Sequence, residues 1–280
     1  MGIGEMYPEE LERYISEKKE GEYLLVDVRE VAEYDREHIP GARLLPLSEL
    51  EGRLDELPGD RELVFYCHSG RRSSVGAVFA QDSGLVKAAI YNLTGGISAW
   101  EGKTLGGFPR FEVIEQCGDL YQSLEQAINM EKGTFLLYGT MAGLSSGLPI
   151  AKTLQKLSRM EIAHARAIHA YLSKKKQVKP FEELFEESSG NLVEGGWDLE
   201  TVVGQLGKEG GNPCGFFSEL ALEIEYRAYD LYRNMAEKAT DADLKGAMLF
   251  LSEQEKAHAR LLAHRLADCF QQHDREGRKS

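Results

Sequence analysis

The sequence contains few cysteines, and they are not spaced as metal ligands. Its four cysteines are Cys67, Cys117, Cys214 and Cys269. They include no Cys-x-x-Cys pair, which excludes the usual zinc-ribbon and rubredoxin types of metal centre. They are also too sparse for the disulfide framework of a small secreted protein. Except for Cys67, they lie in no motif, and we interpret them as structural or incidental.

The sequence also lacks the features that direct a chain into a membrane. It contains no stretch of about 18 consecutive apolar residues, which a membrane-spanning helix requires. Its first residues show no basic region followed by an apolar run, so we expect no signal peptide and a cytoplasmic location. Basic residues are in the minority: 33 Lys and Arg face 46 Asp and Glu, for a formal charge of −13. This balance argues against nucleic acid or an anionic membrane surface as a partner.

In residues 1–110, strand-like runs alternate with short helical patterns. The apolar, strand-like runs are 23–28, 62–66 and 89–93. The helical segments are 8–19, 31–37, 47–57 and 75–81. This alternation predicts an N-terminal α/β domain with a mainly parallel sheet. We place its boundary close to residue 110, because a glycine-rich stretch that ends in Pro109 is a plausible linker.

One cysteine lies where the local structure would make it reactive. The strand that ends at Tyr66 runs directly into Cys67-His68-Ser69-Gly70-Arg71-Arg72, and a helical pattern follows. The N–H groups at a helix start and two arginines favour the thiolate, which is the reactive form. Gly70 allows successive amides to converge into an anion-binding nest. An inert core cysteine beside solvated arginines is the alternative, but a glycine-rich, arginine-bearing loop favours a nucleophile.

The first part of the chain resembles a single-domain rhodanese. The matching segments are Val26-Asp27-Val28-Arg29-Glu30, Glu33-Tyr34, His38-Ile39-Pro40-Gly41-Ala42, Tyr66 to Ser73, and Gly95-Gly96 with Trp100. The resemblance implies that Cys67 accepts a sulfane sulfur as a persulfide and passes it to a thiol or to cyanide. The loop from Cys67 to Arg72 has the length found in sulfurtransferases, whereas the related phosphatases have a longer loop. Sulfur transfer is therefore favoured over hydrolysis of a phosphate ester.

The same resemblance implies roles for the residues around the cysteine. Arg72 is expected to act with Cys67 in catalysis. The amides and side chains that would cradle the persulfide and the anionic donor are those of His68, Ser69, Gly70 and Arg71. Asp27 and Arg29 match positions that support the site. The implied partners are a small sulfur donor and a thiol acceptor.

Residues 111–280 contain four long amphipathic segments. They run over 119–142, 148–174, 217–238 and 241–270. The second and third segments are separated by 175–215, which holds short helical pieces at 181–187 and 199–206. This connection is too long for a tight bundle loop. We predict a C-terminal, all-α four-helix bundle with a crossover connection.

A four-part pattern occurs twice in this helical part: a glutamate, a tyrosine seven residues later, and a Glu-x-x-His that begins thirty residues after the first glutamate. The two copies are Glu131, Tyr138, Glu161 and His164, and Glu225, Tyr232, Glu255 and His258. Both side chains of a Glu-x-x-His project from one helix face. A single such pair is weak evidence, and an isolated helical glutamate is usually solvated. The shared register, together with apolar neighbours that would make unpaired carboxylates costly to bury, predicts a site for two divalent metals.

Carboxylate and imidazole ligands without thiolate suit iron or manganese better than copper or structural zinc. The second part of the chain resembles the rubrerythrin branch of the ferritin-like di-iron superfamily. The resemblance implies two iron ions, with manganese as the other candidate. The implied ligands are Glu131, Glu161, His164, Glu225, Glu255 and His258. Glu161 and Glu255 would bridge the metals, and Tyr138 and Tyr232 would hydrogen-bond near them.

Two departures from the rubrerythrin pattern affect the expected function. Ala228 stands where typical members have an extra carboxylate, and no Cys-x-x-Cys provides a fused rubredoxin, so an external electron donor is expected. We expect a sulfurtransferase coupled to a di-iron oxidoreductase that reduces peroxide or dioxygen in oxidative-stress defence. The alternative is a non-catalytic protein that stores or senses iron and uses its rhodanese fold for docking. The resemblance also implies a homodimer formed through the bundle.

Overall fold

The computed structural model describes residues 2–111, 113, 120–207 and 212–277. It divides into two compact units, Met1–Phe108 and Pro109–Ser280. No helix within the described ranges is long and apolar enough to cross a membrane.

The N-terminal unit is built on one sheet of five parallel strands. The strands are β1 (Gly4–Met6), β2 (Tyr23–Asp27), β3 (Arg43–Leu44), β4 (Glu62–Tyr66) and β5 (Ile90–Leu93). Their order across the sheet is β1-β5-β4-β2-β3, and each neighbouring pair is parallel. The helices are α1 (Pro8–Glu17), α2 (Val31–Arg36), α3 (Leu47–Leu50) and α4 (Arg71–Asp82), with 3-10 turns at Glu51–Glu56 and Gly96–Ala99.

Both faces of the central strands are buried, which is the usual condition of a parallel sheet. Successive side chains of a strand point to opposite faces, and β2 and β4 accordingly supply two separate apolar clusters. One cluster joins Leu24, Val26, Leu63 and Phe65 to Leu50, Ala77 and Ala80. The other joins Tyr23, Leu25, Val64 and Tyr66 to Leu11, Tyr34 and Ile97. The predicted α/β class with a mainly parallel sheet is confirmed.

Two strands of this sheet were not predicted. β1 has three residues and β3 has two, so neither is long enough to show the alternation that identifies a strand. Both gain their conformation from pairing, β1 along β5 and β3 along β2. The first residues of the chain therefore form an edge strand.

The C-terminal unit is a four-helix bundle. Its long helices are α5 (Leu120–Leu144), α6 (Pro149–Lys175), α9 (Pro213–Lys238) and α10 (Ala242–Gly277). The crossover between α6 and α9 contains α7 (Phe181–Glu187), a short antiparallel hairpin of β6 (Leu192–Val193) and β7 (Trp197–Asp198), and α8 (Leu199–Val203). The predicted all-α bundle is confirmed, and the hairpin is an addition to it.

The bundle core consists of two apolar clusters rather than one. The first contains Ile128, Met130, Ile168, Leu231 and Leu251. The second contains Leu137, Leu157, Ile224 and Leu262. On each long helix, the repeated glutamate lies in sequence between residues of the two clusters. Polar groups at this level of the bundle are therefore enclosed by apolar packing on both sides.

A disulfide joins the last two long helices, α9 and α10. Cys214, at the start of α9, is bonded to Cys269, near the end of α10, 55 positions further along the sequence. Our interpretation of the cysteines did not pair them, because spacing alone does not show that an antiparallel hairpin brings these ends together. Cys67 is a free, buried cysteine, and Cys117 lies outside the described residues.

Candidate functional site in each unit

The Cys67 loop connects the end of β4 to the start of α4. Gly70 caps α4 with a φ of 86°, in the left-handed region that favours glycine. A Cβ on Gly70 would lie 3.0 Å from the carbonyl oxygen of Leu93, and one on Gly96 would lie 2.3 Å from the carbonyl oxygen of Cys67. The loop is therefore folded tightly against the segment that follows β5, and both glycines are needed for that approach.

The loop surrounds the Cys67 sulfur with hydrogen-bond donors. The N–H of Gly70 donates to Sγ over 3.2 Å, and the hydroxyl of Ser73 lies 3.5 Å from Sγ. Burial acts to raise the pKa of the Cys67 thiol, but the Ser73 hydroxyl and the N–H groups of Ser73, Ser69 and Arg72 outweigh it, so the pKa is lowered. A lowered pKa increases the fraction of reactive thiolate at neutral pH.

The remaining loop side chains differ in what they contact. His68, Ser69 and Arg71 are exposed at the mouth of the loop. Arg72 donates two hydrogen bonds of 2.7 Å to the carboxylate of Glu33, and this pairing lowers the pKa of Glu33 to about 2. The guanidinium of Arg72 is thus anchored beside the loop by Glu33.

Asp27 and Arg29 form an ion pair beneath the loop. Both side chains are buried, and Arg29 donates to the two carboxylate oxygens over 2.6 to 3.0 Å. Arg29 also donates to the carbonyl oxygen of Glu37 over 2.7 Å. Asp27 is paired in register with Tyr66, the residue before Cys67. The pair therefore fixes the end of the sheet from which the loop departs.

In the bundle, the structure brings together all six residues of the two Glu…Glu-x-x-His patterns. Their fractional exposures are 0% for Glu131, Glu161, Glu225 and Glu255, 3% for His164 and 1% for His258. Each of the four long helices supplies at least one of them. The repeat seen in the sequence is therefore a single cluster in space.

Two glutamates lie between the two histidines. His164 Nδ1 is 3.0 Å from Glu161 Oε2 and 3.2 Å from Glu255 Oε1. His258 Nδ1 is 3.1 Å from Glu255 Oε2 and 3.8 Å from Glu161 Oε1. Each carboxylate thus presents one oxygen to each histidine, as a ligand that bridges two metals must do. The imidazole rings are stacked, with centroids 5.1 Å apart.

The tyrosine of each repeat donates a hydrogen bond to the first glutamate of the other repeat. Tyr232, on α9, donates to Glu131 Oε1 on α5 over 2.7 Å, and Tyr138, on α5, donates to Glu225 Oε1 on α9 over 2.6 Å. Both tyrosines are fully buried. Each one fixes the orientation of the glutamate from the opposite half of the bundle, which leaves that glutamate's second oxygen directed toward the histidines.

The cluster has too little internal pairing for so many buried carboxylates. Both oxygens of Glu161, both oxygens of Glu255 and Glu131 Oε2 accept no hydrogen bond, because their contacts with the imidazole nitrogens do not have hydrogen-bond geometry. Burial raises the pKa of Glu161 to about 7. Burial acts to lower the pKa of His258, but the carboxylates of Glu225 and Glu255 raise it to about 11. Unpaired, buried carboxylates beside imidazoles are a donor set that suits divalent cations.

The structure adds one residue that sequence reasoning missed. Glu194, in the 3-10 turn between β6 and β7, is fully buried and groups with Glu131, Glu161 and His164, with one ligand atom of each within 4.8 Å of the others. It lies outside the repeat and outside the long helices, so periodicity could not reveal it. The available signal was a glutamate between the apolar Leu192-Val193 and two glycines, within an otherwise polar connection.

Comparison with known families agrees with this architecture. The profile of the rhodanese-like domain family matches residues 8–103, and that of the rubrerythrin family matches residues 218–280. A sulfurtransferase of Allochromatium vinosum is 36% identical over 98 residues, which is 35% of this chain and 88% of that protein. The chain therefore belongs to the rhodanese-like family through its N-terminal unit, and it carries a rubrerythrin domain in its C-terminal unit.

Two further relatives extend well beyond the shared region. YrkF of Bacillus subtilis, named as a candidate sulfur carrier, is 42% identical over 80 residues, or 29% of this chain and 42% of YrkF. YqhL of the same organism, an uncharacterized protein, is 42% identical over 79 residues, or 28% of this chain and 61% of YqhL. The chain thus spans less than two thirds of either protein.

The rubrerythrin match includes Glu225, Glu255 and His258, whereas Glu131, Glu161 and His164 precede it.

Proposed function

We propose that the N-terminal unit is a sulfurtransferase in which Cys67 carries the sulfur as a persulfide. The observation that supports this most directly is the Cys67 sulfur itself, held at the start of α4 among N–H and hydroxyl donors that lower its pKa. The Allochromatium vinosum relative, which is named a sulfurtransferase and of which this chain covers 88%, also supports the proposal.

The transfer consists of two displacements. The Cys67 thiolate attacks the sulfane sulfur of a donor such as thiosulfate, an S–S bond forms, and sulfite leaves with the electron pair of the broken bond. An acceptor thiolate or cyanide then attacks the outer sulfur, and Cys67 leaves as the thiolate. The loop N–H groups stabilise the negative charge at Cys67 at both stages. His68, Ser69 and Arg71 are exposed and would contact the donor and the acceptor as they enter.

Release of thiocyanate from thiosulfate and cyanide tests this role. Cys67→Ser is expected to abolish the release and to prevent the gain of one sulfur in intact mass after treatment with thiosulfate. A double variant with Cys214→Ser and Cys269→Ser replaces the disulfide-bonded cysteines of the other unit and is expected to retain activity. Thiocyanate release that survives Cys67→Ser would refute the nucleophile.

We further propose that the C-terminal unit holds two iron ions and is an oxidoreductase that reduces peroxide or dioxygen. The unpaired oxygens of Glu161 and Glu255 between two histidines support this assignment. Glu131, Glu161, His164, Glu225, Glu255 and His258 would hold the metals. Bound iron would supply the electrons for the reduction, and an external donor would restore them.

The protein's own residues prepare the site for this chemistry. Tyr138 and Tyr232 orient Glu225 and Glu131 through hydrogen bonds. Hydrogen bonds to metal ligands tune the metal affinity and the basicity of those ligands. The apolar clusters above and below the ligands limit the access of water. Because Ala228 supplies no carboxylate, the oxidant is expected to meet a ligand sphere that differs from that of typical rubrerythrins.

Reaction of the reduced protein with peroxide separates catalysis from storage. Iron-loaded, reduced protein is expected to be oxidised by peroxide and to turn over when a chemical reductant is supplied. Glu161→Ala is expected to lose iron and this reaction while it keeps thiocyanate release. Binding of iron without turnover would instead support the storage or sensing function.

We propose that both sites serve one process that links sulfur chemistry to oxidant removal. If this is correct, Cys67→Ser lowers peroxide consumption only when a sulfane sulfur donor is present. Equal consumption with and without the donor, in both the original protein and the variant, would contradict the coupling.

A further inference from the structure

We propose that Glu194 is a seventh protein ligand, delivered by the crossover hairpin to one of the two metal positions. This inference rests on the proposed metal centre and adds an asymmetry to it. The position beside Glu131 and His164 gains a carboxylate, whereas the position beside Glu225 and His258 gains none from the described residues.

The first support is that the Glu194 side chain is buried without a partner. Its exposure is 0%, and neither carboxylate oxygen accepts a hydrogen bond. A carboxylate in such a place is costly unless a cation or a donor compensates it. The carboxylate is also grouped, within 4.8 Å, with ligand atoms of Glu131, Glu161 and His164, whereas the second group consists of Glu161, Glu255 and His258.

The second support is that the hairpin is built to place this side chain inside the bundle. The Glu194 N–H donates to Thr134 Oγ1 of α5 over 2.9 Å, and both residues are fully buried. A Cβ on Gly133 would lie 1.9 Å from the carbonyl oxygen of Leu192. The backbone of the hairpin therefore lies directly on α5, within one turn of Glu131.

Two glycines complete the approach on the other side. Gly195 and Gly196 have φ values of 77° and 80°, and a Cβ on Gly195 would lie 2.6 Å from the Cβ of Arg227 on α9. Arg227 directly precedes Ala228. The hairpin thus contacts α5 and also α9, the latter next in sequence to Ala228, a position whose side chain supplies no carboxylate.

Anaerobic titration of the metal-free, full-length protein with ferrous iron tests the proposal. We expect two binding events of unequal affinity. In Glu194→Gln, which keeps the shape of the side chain and removes its charge, the tighter event is expected to weaken by at least about tenfold. Glu186→Gln makes the same charge change on an exposed residue of the crossover and is expected to bind as the original protein does.

Thermal denaturation distinguishes a ligand from a structural residue. If Glu194 is a ligand, Glu194→Gln melts no earlier than the original protein without metal, and iron raises its melting temperature by less. A variant that binds both ions with unchanged affinities would overturn the proposal for Glu194 and leave the metal centre intact. Failure of the original protein to bind iron would overturn both.

Discussion

The contact between the crossover hairpin and α5 can be tested by substituting two glycines of α5. Gly133→Ala and Gly139→Ala both place a methyl group on an interior position of α5, and in an unconstrained helix each would stabilise by about 1 kcal/mol. A Cβ on Gly139 meets nothing within 4 Å. A Cβ on Gly133 would meet the carbonyl oxygen of Leu192 at 1.9 Å and its carbon at 2.6 Å.

The two variants are therefore expected to have opposite effects. The atoms that oppose the methyl group at Gly133 belong to the backbone and cannot rotate away, so the cost should lie near the upper end of about 1–3 kcal/mol for overpacking. After the gain in helix propensity, the net loss is about 2 kcal/mol. For a domain of this size, the melting temperature should fall by about 4–8 °C in Gly133→Ala and rise by about 2–4 °C in Gly139→Ala.

Differential scanning calorimetry of the metal-free proteins measures these shifts. Gly133→Ala should also weaken iron binding, because it displaces the hairpin that carries Glu194, whereas Gly139→Ala should not. If Gly133→Ala were as stabilising as Gly139→Ala, the hairpin would not rest on α5, and the proposed entry of Glu194 would lose its structural basis.

Two other expectations follow from hydrogen bonds within the sites. Tyr232→Phe and Tyr138→Phe each leave a buried glutamate oxygen without its hydrogen-bond donor. Calorimetry should therefore show that each variant loses about 1–3 kcal/mol of unfolding free energy. No loss, or a loss in only one variant, would contradict the hydrogen bonds between Tyr232 and Glu131 and between Tyr138 and Glu225. Because the pKa of Cys67 is depressed, its thiolate persists to lower pH than that of an ordinary cysteine, and alkylation rates measured against pH should show a midpoint that Ser73→Ala raises. An unchanged midpoint in Ser73→Ala would remove the Ser73 hydroxyl as a cause.

Much of the architecture was predictable because its signals are local or periodic. The long helices and the central strands show their apolar patterns over many residues, and the structure confirms both fold classes. The repeated ligands were recognisable because equal spacing on equivalent helices requires no knowledge of the loops. The structure brings these six residues into one buried cluster, and their role as ligands remains a prediction.

The features that sequence reasoning missed depend on contacts between distant segments. β1 becomes a strand only through its pairing with β5. Cys214 and Cys269 meet only because α9 and α10 form an antiparallel hairpin. Glu194 reaches the cluster because glycines on both sides permit close backbone approach, and no spacing rule encodes that arrangement. Each depends on tertiary packing, which a pattern along one segment does not contain.

The number of bound metals and their magnetic coupling test the central proposal most directly. That proposal is that the two repeats form one centre for two metals. Anaerobic loading with ferrous iron, followed by elemental analysis and Mössbauer spectroscopy of the oxidised protein, should show about two irons per chain that are magnetically coupled, because Glu161 and Glu255 would hold both metals close together. One iron per chain, or two irons without magnetic coupling, would contradict it.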